Sequence, residues 1–236
     1  PHGEDGTVQG LLELAGIAAV GSGVAGSSVG MDKELSKRVF RAEGLPQLDY
    51  AVVRRSKWRA ESDTVLDELE ERLGFPMFVK PARMGSSVGV SRAHDRESLI
   101  VALDEAARFD NKMIVETAAV DCREVECAVL GYEDAQASVL GEIVPDNDFY
   151  DYESKYVTGN SELVIPAELS VQITEAIQRL ALAAFRAVGA AGLARVDFFV
   201  SRDGKHVHVN EINTMPGFTP ISMYPKLWAQ SGLEYP

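Results

Sequence analysis

Two short runs late in the chain carry the residue types best suited to chemistry, Arg195-Val-Asp197 and Asn210-Glu-Ile-Asn213. Each sits in an alternating pattern, 193–200 and 207–213, that reads as a strand. A strand repeats its direction every second residue, so Arg195 shares a face with Asp197, and Glu211 shares one with Asn213. Between them Ser201-Arg-Asp-Gly-Lys205 is a hairpin signal of the Asp-Gly kind. A turn centred near Gly204 with an odd-membered loop sets Asp197 opposite Glu211 and Arg195 opposite Asn213. A strict two-residue turn slips the register by one and sends Asp197 to the other face. In the first register two carboxylates and an amide oxygen converge, the ligand set a hard divalent cation such as Mg²⁺ prefers. An ordinary surface hairpin with its charges in water is the competing reading. Against it stand the shared face and the stiff Met215-Pro-Gly-Phe-Thr-Pro220 loop that follows.

Three other stretches invite a chemical reading. Gly85-Ser-Ser-Val-Gly89 lies between two strand patterns, so it is not a P-loop, which opens a helix. Its backbone N–H groups could still fold over phosphates, with Lys80 at the preceding strand end as a point charge; a hairpin turn beside an exposed lysine is the plain alternative. Gly21-Ser-Gly-Val-Ala-Gly26 matches G-x-G-x-x-G after a short apolar run at 17–20. A dinucleotide site needs that last glycine in the opening turn of a helix. Here the helix signal begins only at Met31, which favours a glycine-rich connection. The tyrosine-rich run 147–156 is a polar, aromatic loop.

The elements that must position these groups alternate in type. Helix patterns cover 7–16, 32–43, 61–74, 95–109 and 170–188. Strand patterns cover 48–54, 77–80, 88–91, 113–116, 125–130 and 137–144. The helix at 32–43 should bury Leu35, Val39 and Phe40. That at 61–74 should be capped by Ser62 and bury Val65, Leu66, Leu69 and Leu73. That at 95–109 should bury Leu99, Ile100, Leu103 and Ala107. Two strand–helix–strand sections between Asp49 and Glu116 suggest a compact α+β subdomain.

Composition bounds the class. The chain has 236 residues, 46 % of them hydrophobic and 25 % charged, as a globular protein does. A formal net charge of -13 argues against a non-specific nucleic-acid or anionic-membrane binder. Cys122 and Cys127 are the only cysteines, too few for a disulfide framework, and fit a reducing cytosol. No apolar run approaches the roughly 18 residues that cross a bilayer. The polar, glycine-rich start does not resemble a signal peptide. Lacking an initiator Met and a closing element, the chain reads as a fragment cut at both ends.

In order and spacing, Lys33, Lys80, Gly85-Ser-Ser-Val-Gly89, Glu116, Glu124, Phe149-Tyr-Asp-Tyr-Glu-Ser-Lys-Tyr156, Arg195-Val-Asp197 and Asn210-Glu-Ile-Asn-Thr-Met-Pro-Gly217 resemble the D-alanine–D-alanine ligases of the ATP-grasp superfamily. The likeness spans essentially the whole chain. It implies an α+β ATP-grasp fold, two α+β subdomains clamping a nucleotide. Residues 1–21 would be a remnant of the N-terminal domain, 22–119 the central subdomain and 120–236 the C-terminal subdomain with the metal site. It implies ATP-dependent, cytoplasmic ligation of two D-alanines for peptidoglycan. ATP and magnesium, one ion or two, are the expected cofactors, with Mn²⁺ as a substitute. No nucleic-acid or membrane partner is expected, and the full-length form would be a homodimer.

The resemblance also distributes roles. Asp197, Glu211 and Asn213 would hold the metal. Lys33, Lys80 and Lys155 would touch phosphate oxygens, with Ser87 in a lid formed by 85–89. Glu116 and the backbone from Thr117 to Ala119 would take the adenine, and Glu124 the ribose. Arg195 and the Gly217 N–H would form an oxyanion site. Ser222 and Met223 would bind the second alanine's carboxylate, while Ser86 and Tyr156 would organise the loops. The family's glutamate for the first alanine has no counterpart here, and His2 sits closer to Gly3-Glu-Asp-Gly6 than the family's spacing. A sibling ligase using D-lactate or D-serine, a dinucleotide-binding oxidoreductase and an inactive nucleotide-binding fragment are the alternatives. The Glu153-Ser-Lys-Tyr156 run resembles the dipeptide-forming branch.

Overall fold

The computed structural model describes residues 2–144, 162–219 and 221–234. In chain order the elements are α1 (Thr7–Leu14), α2 (Val24–Met31), α3 (Lys33–Ala42), β1 (Tyr50–Arg54), α4 (Arg55–Ala60), α5 (Ser62–Leu73), β2 (Met77–Pro81), β3 (Ser91–Ala93), α6 (Arg96–Phe109) and β4 (Lys112–Thr117). They continue with β5 (Cys122–Gly131), β6 (Gln136–Val144), β7 (Glu162–Val164), α7 (Val171–Ala187), β8 (Gly192–Ser201), β9 (Val207–Asn213) and α8 (Met223–Gln230). The expected loop at 147–156, with Lys155 and Tyr156, lies outside the described residues.

Two compact units result. The first spans 48–120 among the described residues. Its antiparallel sheet has the order β1-β4-β2-β3. Met77, Val79, Met113 and Val115 alternate onto one face, where Val65, Leu66 and Leu69 of α5 and Leu99, Leu103 and Ala106 of α6 bury them. The opposite face carries Phe78, Lys80, Ile114 and Glu116, again by the period of two. Asp95 caps α6 through a reciprocal capping box with Ser98.

The second unit comprises 2–47, 121–144, 162–219 and 221–234. Its antiparallel sheet has the order β7-β6-β5-β8-β9. Val125, Cys127 and Val129 of β5, Val196, Phe198 and Val200 of β8, and Val209 and Ile212 of β9 pack with Ile177, Ala181, Ala184 and Phe185 of α7. The other face of β5, β8 and β9 is therefore where Glu126, Arg195, Asp197, Glu211 and Asn213 must project. Ser170 caps α7, its Oγ accepting from the Ile173 N–H at 3.4 Å.

Several sequence expectations need correction. Residues 17–20 form no strand, and Ile17 and Val20 are exposed. A helix, α2, does open directly after Gly23, built from glycine and serine that propensity disfavours. Packing explains it: a Cβ on Gly26 would meet the Gly189 carbonyl oxygen at 2.5 Å, and one on Gly30 the Thr214 Cγ2 at 2.7 Å. Residues 22–47 belong to the same compact unit as the C-terminal sheet. In α3 it is Glu34, Ser36, Lys37 and Phe40 that are buried, while Leu35 is exposed. Ser62 is the first helical residue of α5, not its cap, and no side chain caps that end. In α6, Ala102 and Ala106 face inward and Ile100 outward. The third strand of the first unit begins at Ser91, not Val88, and α4 had no sequence signal.

Candidate active site

The β8–β9 hairpin pairs Asp197 with Glu211 and Arg195 with Asn213. The route differs from the one expected. Nearest the turn, Val200 pairs with Val207 and Phe198 with Val209, a register that alone would set Asp197 opposite Asn210. A bulge between Phe198 and Asp197 absorbs Asn210 and restores Asp197 to Glu211. The odd residue lies in the strand, not in the turn.

On β5, Glu126 stands directly opposite Asp197, so Glu126, Asp197 and Glu211 form a row of carboxylates across three strands. Two cations sit among them. Arg195 donates from Nε to Asp197 Oδ1 at 2.7 Å and from Nη2 to Asp197 Oδ2 at 2.8 Å, a bidentate pair. Glu126 Oε2 lies 3.0 Å from the same Nε. That N–H points at Asp197, so the Glu126 contact is an ion pair rather than a second well-aligned hydrogen bond. Burial works against the charge of Arg195, but Asp197, Glu126 and Glu211 outweigh it and hold its pKa well above the usual value. Lys33, the first residue of α3, reaches Glu211 Oε2 at 3.4 Å. Asp32 caps that helix by accepting from the Glu34 and Leu35 N–H groups, which fixes where Lys33 starts.

Among the described residues, three carboxylates meet two cations here, and the carboxylates supply hard oxygen donors. The set fits a divalent cation in chemistry and in register. With the carboxylates turned to Arg195 and Lys33, no three His, Cys, Asp or Glu side chains among the described residues are grouped as an ion's ligands. Asn213 Oδ1 accepts from the Met215 N–H at 3.0 Å and so folds the chain into the loop. There a Cβ on Gly217 would meet Ser222 Oγ at 2.8 Å. Ser222 Oγ in turn accepts from the Thr219 N–H at 3.0 Å. The Met223 side chain is buried, close enough to β6 that a Cβ on Gly141 would meet its Sδ at 2.7 Å. Only its backbone, at the start of α8, remains to meet a ligand.

Several of the other expected residues lie in the first unit. Lys80, half-buried at 12 % exposure, donates to Oε2 of the buried Glu116, 2 % exposed, at 2.7 Å. The Thr117 and Ala118 N–H groups donate to the Asp49 and Pro76 carbonyls, both at 3.0 Å. Ala119 follows at the half-buried strand exit. Ser86 and Ser87 both adopt left-handed φ, 51° and 57°, a strained choice for non-glycine residues that clusters at functional loops. Gly89 anchors the loop where a side chain would strike Phe109 and Pro81. Glu124 lies half-buried on β5 of the other unit, two residues before Glu126. His2 is exposed near Asp5. Both cysteines are free, and burial pushes the Cys127 thiol up to about 12.

Residues 39–236 match the family described as D-ala D-ala ligase C-terminus. The chain belongs to that family. The D-alanine–D-alanine ligase of Heliobacterium modesticaldum is 51 % identical over 235 residues, which cover 100 % of this chain and 64 % of that protein. That of Ruminiclostridium cellulolyticum is 55 % identical over 236 residues, 99 % of this chain and 62 % of the relative. The chain thus spans a little under two thirds of these relatives. The solved D-alanine–D-alanine ligase of Coxiella burnetii superposes with a TM-score of 0.85 at 41 % identity, covering 99 % of this chain and 61 % of that one. The VanG D-Ala:D-Ser ligase of Enterococcus faecalis gives 0.88 at 34 %, covering 99 % and 66 %. The fold is the α+β ATP-grasp fold of these ligases. The dinucleotide alternative drops out: no strand leads into Gly21, and Gly26 packs on Gly189.

One residue of the candidate site went unseen in the sequence. Glu126 alternates with Val125, Cys127 and Val129, which was visible, but its place beside Arg195 depends on strand pairing across about 70 residues.

Proposed function

We propose that the protein carrying this chain is an ADP-forming ligase of the cytoplasm that joins two D-alanines into the dipeptide used for peptidoglycan. The observation that carries this is the row of carboxylates Glu126–Asp197–Glu211 gathered around Arg195 and Lys33. A carboxylate and an amine do not condense spontaneously in water, so the first carboxylate needs activation as an acyl phosphate from ATP. Such transfer needs mainly positioning and charge neutralisation.

Asp197, Glu211 and Asn213 would hold magnesium, one ion or two with manganese able to substitute, and the ion would neutralise the nucleotide's phosphates. Lys33, Lys80 and Lys155 supply point charges to phosphate oxygens, and the backbone at Ser87 covers them. Glu116 accepts the adenine amino group beside 117–119, where Thr117 offers its carbonyl because its N–H is engaged. Glu124 accepts from the ribose hydroxyls. When the second D-alanine's amine attacks the acyl phosphate, a tetrahedral oxyanion develops. Arg195 spends its Nε/Nη2 edge on Asp197, so its Nη1 edge and the Gly217 N–H are the donors for that oxyanion. Ser222 and the Met223 N–H, at a helix N-terminus, suit the second substrate's carboxylate. Ser86 and Tyr156 order the covering loops. A homodimer with no nucleic-acid or membrane partner accompanies this reading.

The test is ADP release by the full-length protein with D-alanine alone and with D-lactate or D-serine added. Release with D-alanine alone, lost in Asp197→Asn, is expected. A preference for D-lactate or D-serine moves the protein to a sibling activity.

A further inference from the structure

Asp197 has two claims on it. It grips Arg195 with both carboxylate oxygens, yet the function proposed above assigns the same oxygens to a metal ion. A carboxylate that turns to an ion leaves the guanidinium without its bidentate partner, and a buried guanidinium needs an anion to stay charged in place. The cross-strand neighbours of Arg195 do not provide one. On β5 it faces Ala128, a methyl group, and on β9 it faces Asn213, whose amide oxygen already accepts from the Met215 N–H.

Glu126 does provide one. It is 7 % exposed, stands across from Asp197 on β5 and places Oε2 3.0 Å from Arg195 Nε. Its backbone lies in a central strand paired with β6 and β8, and its side chain is buried, which limits the room the carboxylate has to move. Nothing in the proposed ligand set uses it. We infer that Glu126 is a positioning residue: it keeps the Arg195 guanidinium aimed at the reacting carbonyl when Asp197 turns to the metal. The proposal rests on the function assigned above, and it explains why a central strand keeps a carboxylate on the site face two residues from Glu124. Arg195 is thus doubly anchored, with one anchor exchangeable and one fixed.

Solvent exchange of the Arg195 Nε–H is the readout, followed in the protein labelled with ¹⁵N-arginine and assigned from the peak lost in Arg195→Lys. In the unsubstituted protein exchange is slow both without ligand and with Mg²⁺-ADP. In Glu126→Gln it stays slow without ligand, where Asp197 holds the guanidinium, and rises about tenfold or more with Mg²⁺-ADP, as expected when a charged partner is lost. Glu126→Asp, with its charge on a shorter stem, gives a smaller rise under Mg²⁺-ADP, and it carries the test alone if Glu126→Gln does not fold. Equal exchange with and without Mg²⁺-ADP in the substituted proteins overturns the proposal, since Glu126 then serves packing alone. Calorimetry separates the two levels. If the unsubstituted protein binds no Mg²⁺-ADP, the functional reading falls and this inference with it; if it binds and Arg195 is indifferent to Glu126, only the inference falls.

Discussion

Lys80 with Glu116, and Arg195 with Glu126 and Asp197, are two ion clusters on the sheet faces opposite α5 and α6 in one unit and α7 in the other, and they differ in make-up. In the first, one cation meets one carboxylate, 2.7 Å apart. In the second, with Lys33 and Glu211, three carboxylates of the described residues meet two cations. A single paired carboxylate offers a divalent ion little, whereas a row of oxygen donors can hold one. That contrast, more than any single distance, assigns the proposed metal retention to the second cluster and a nucleotide contact to the first.

The largest effect should come from removing each cluster's cation. Arg195→Met and Lys80→Met each leave buried carboxylate uncompensated, at a cost of about 3–5 kcal/mol. Urea unfolding followed with and without Mg²⁺ should show the Arg195 loss partly restored by the ion and the Lys80 loss unaffected. An equal response of both erases the contrast. Next, Asp197→Asn should weaken Mg²⁺ retention with ADP by at least the roughly 10–100-fold that even supporting groups of a metal ligand command. Glu116→Gln should leave retention of the ion intact in the same titration. Gly26→Ala, whose methyl would strike the Gly189 backbone, should cost about 1–3 kcal/mol. It should also disturb the Lys33 resonances while sparing Lys80, because α2 leads into α3. The smallest effects are controls within the first unit. Asp95→Ala should lower the melting temperature modestly through loss of its capping box. Ser62→Ala, at a position that caps nothing, should stay within about 0.5 kcal/mol by thermal melting.

What was legible in the chain was local. The Asp-Gly hairpin, the period of two around Asp197 and Glu211, and the stripe of α7 follow from neighbours a few residues apart. The helix α2 was not legible, because glycine and serine form it only where Gly26 and Gly30 admit the close approach of Gly189 and Thr214. The outward Leu35 and inward Lys37 of α3 likewise depend on what packs against that helix. The assembled site was legible in type but not in pairing: Asp197, Glu211 and Asn213 stood out, whereas the bonds from Arg195 to Asp197 and from Lys33 to Glu211 needed coordinates. The bulge was the least accessible feature, since a residue absorbed in the strand and one absorbed in the turn give the same register at Asp197.

That bulge has a consequence of another kind. β9 is the last strand of its sheet, and a regular outer strand is a template on which a second chain can add a strand and begin to aggregate. Looping out Asn210 breaks the repeat of N–H and C=O groups along that rim, and the Val209 N–H is already occupied by the Pro46 carbonyl at 2.8 Å. Deleting Asn210 would keep Asp197 beside Glu211 but straighten the rim, so the site would survive while protection against self-association was lost.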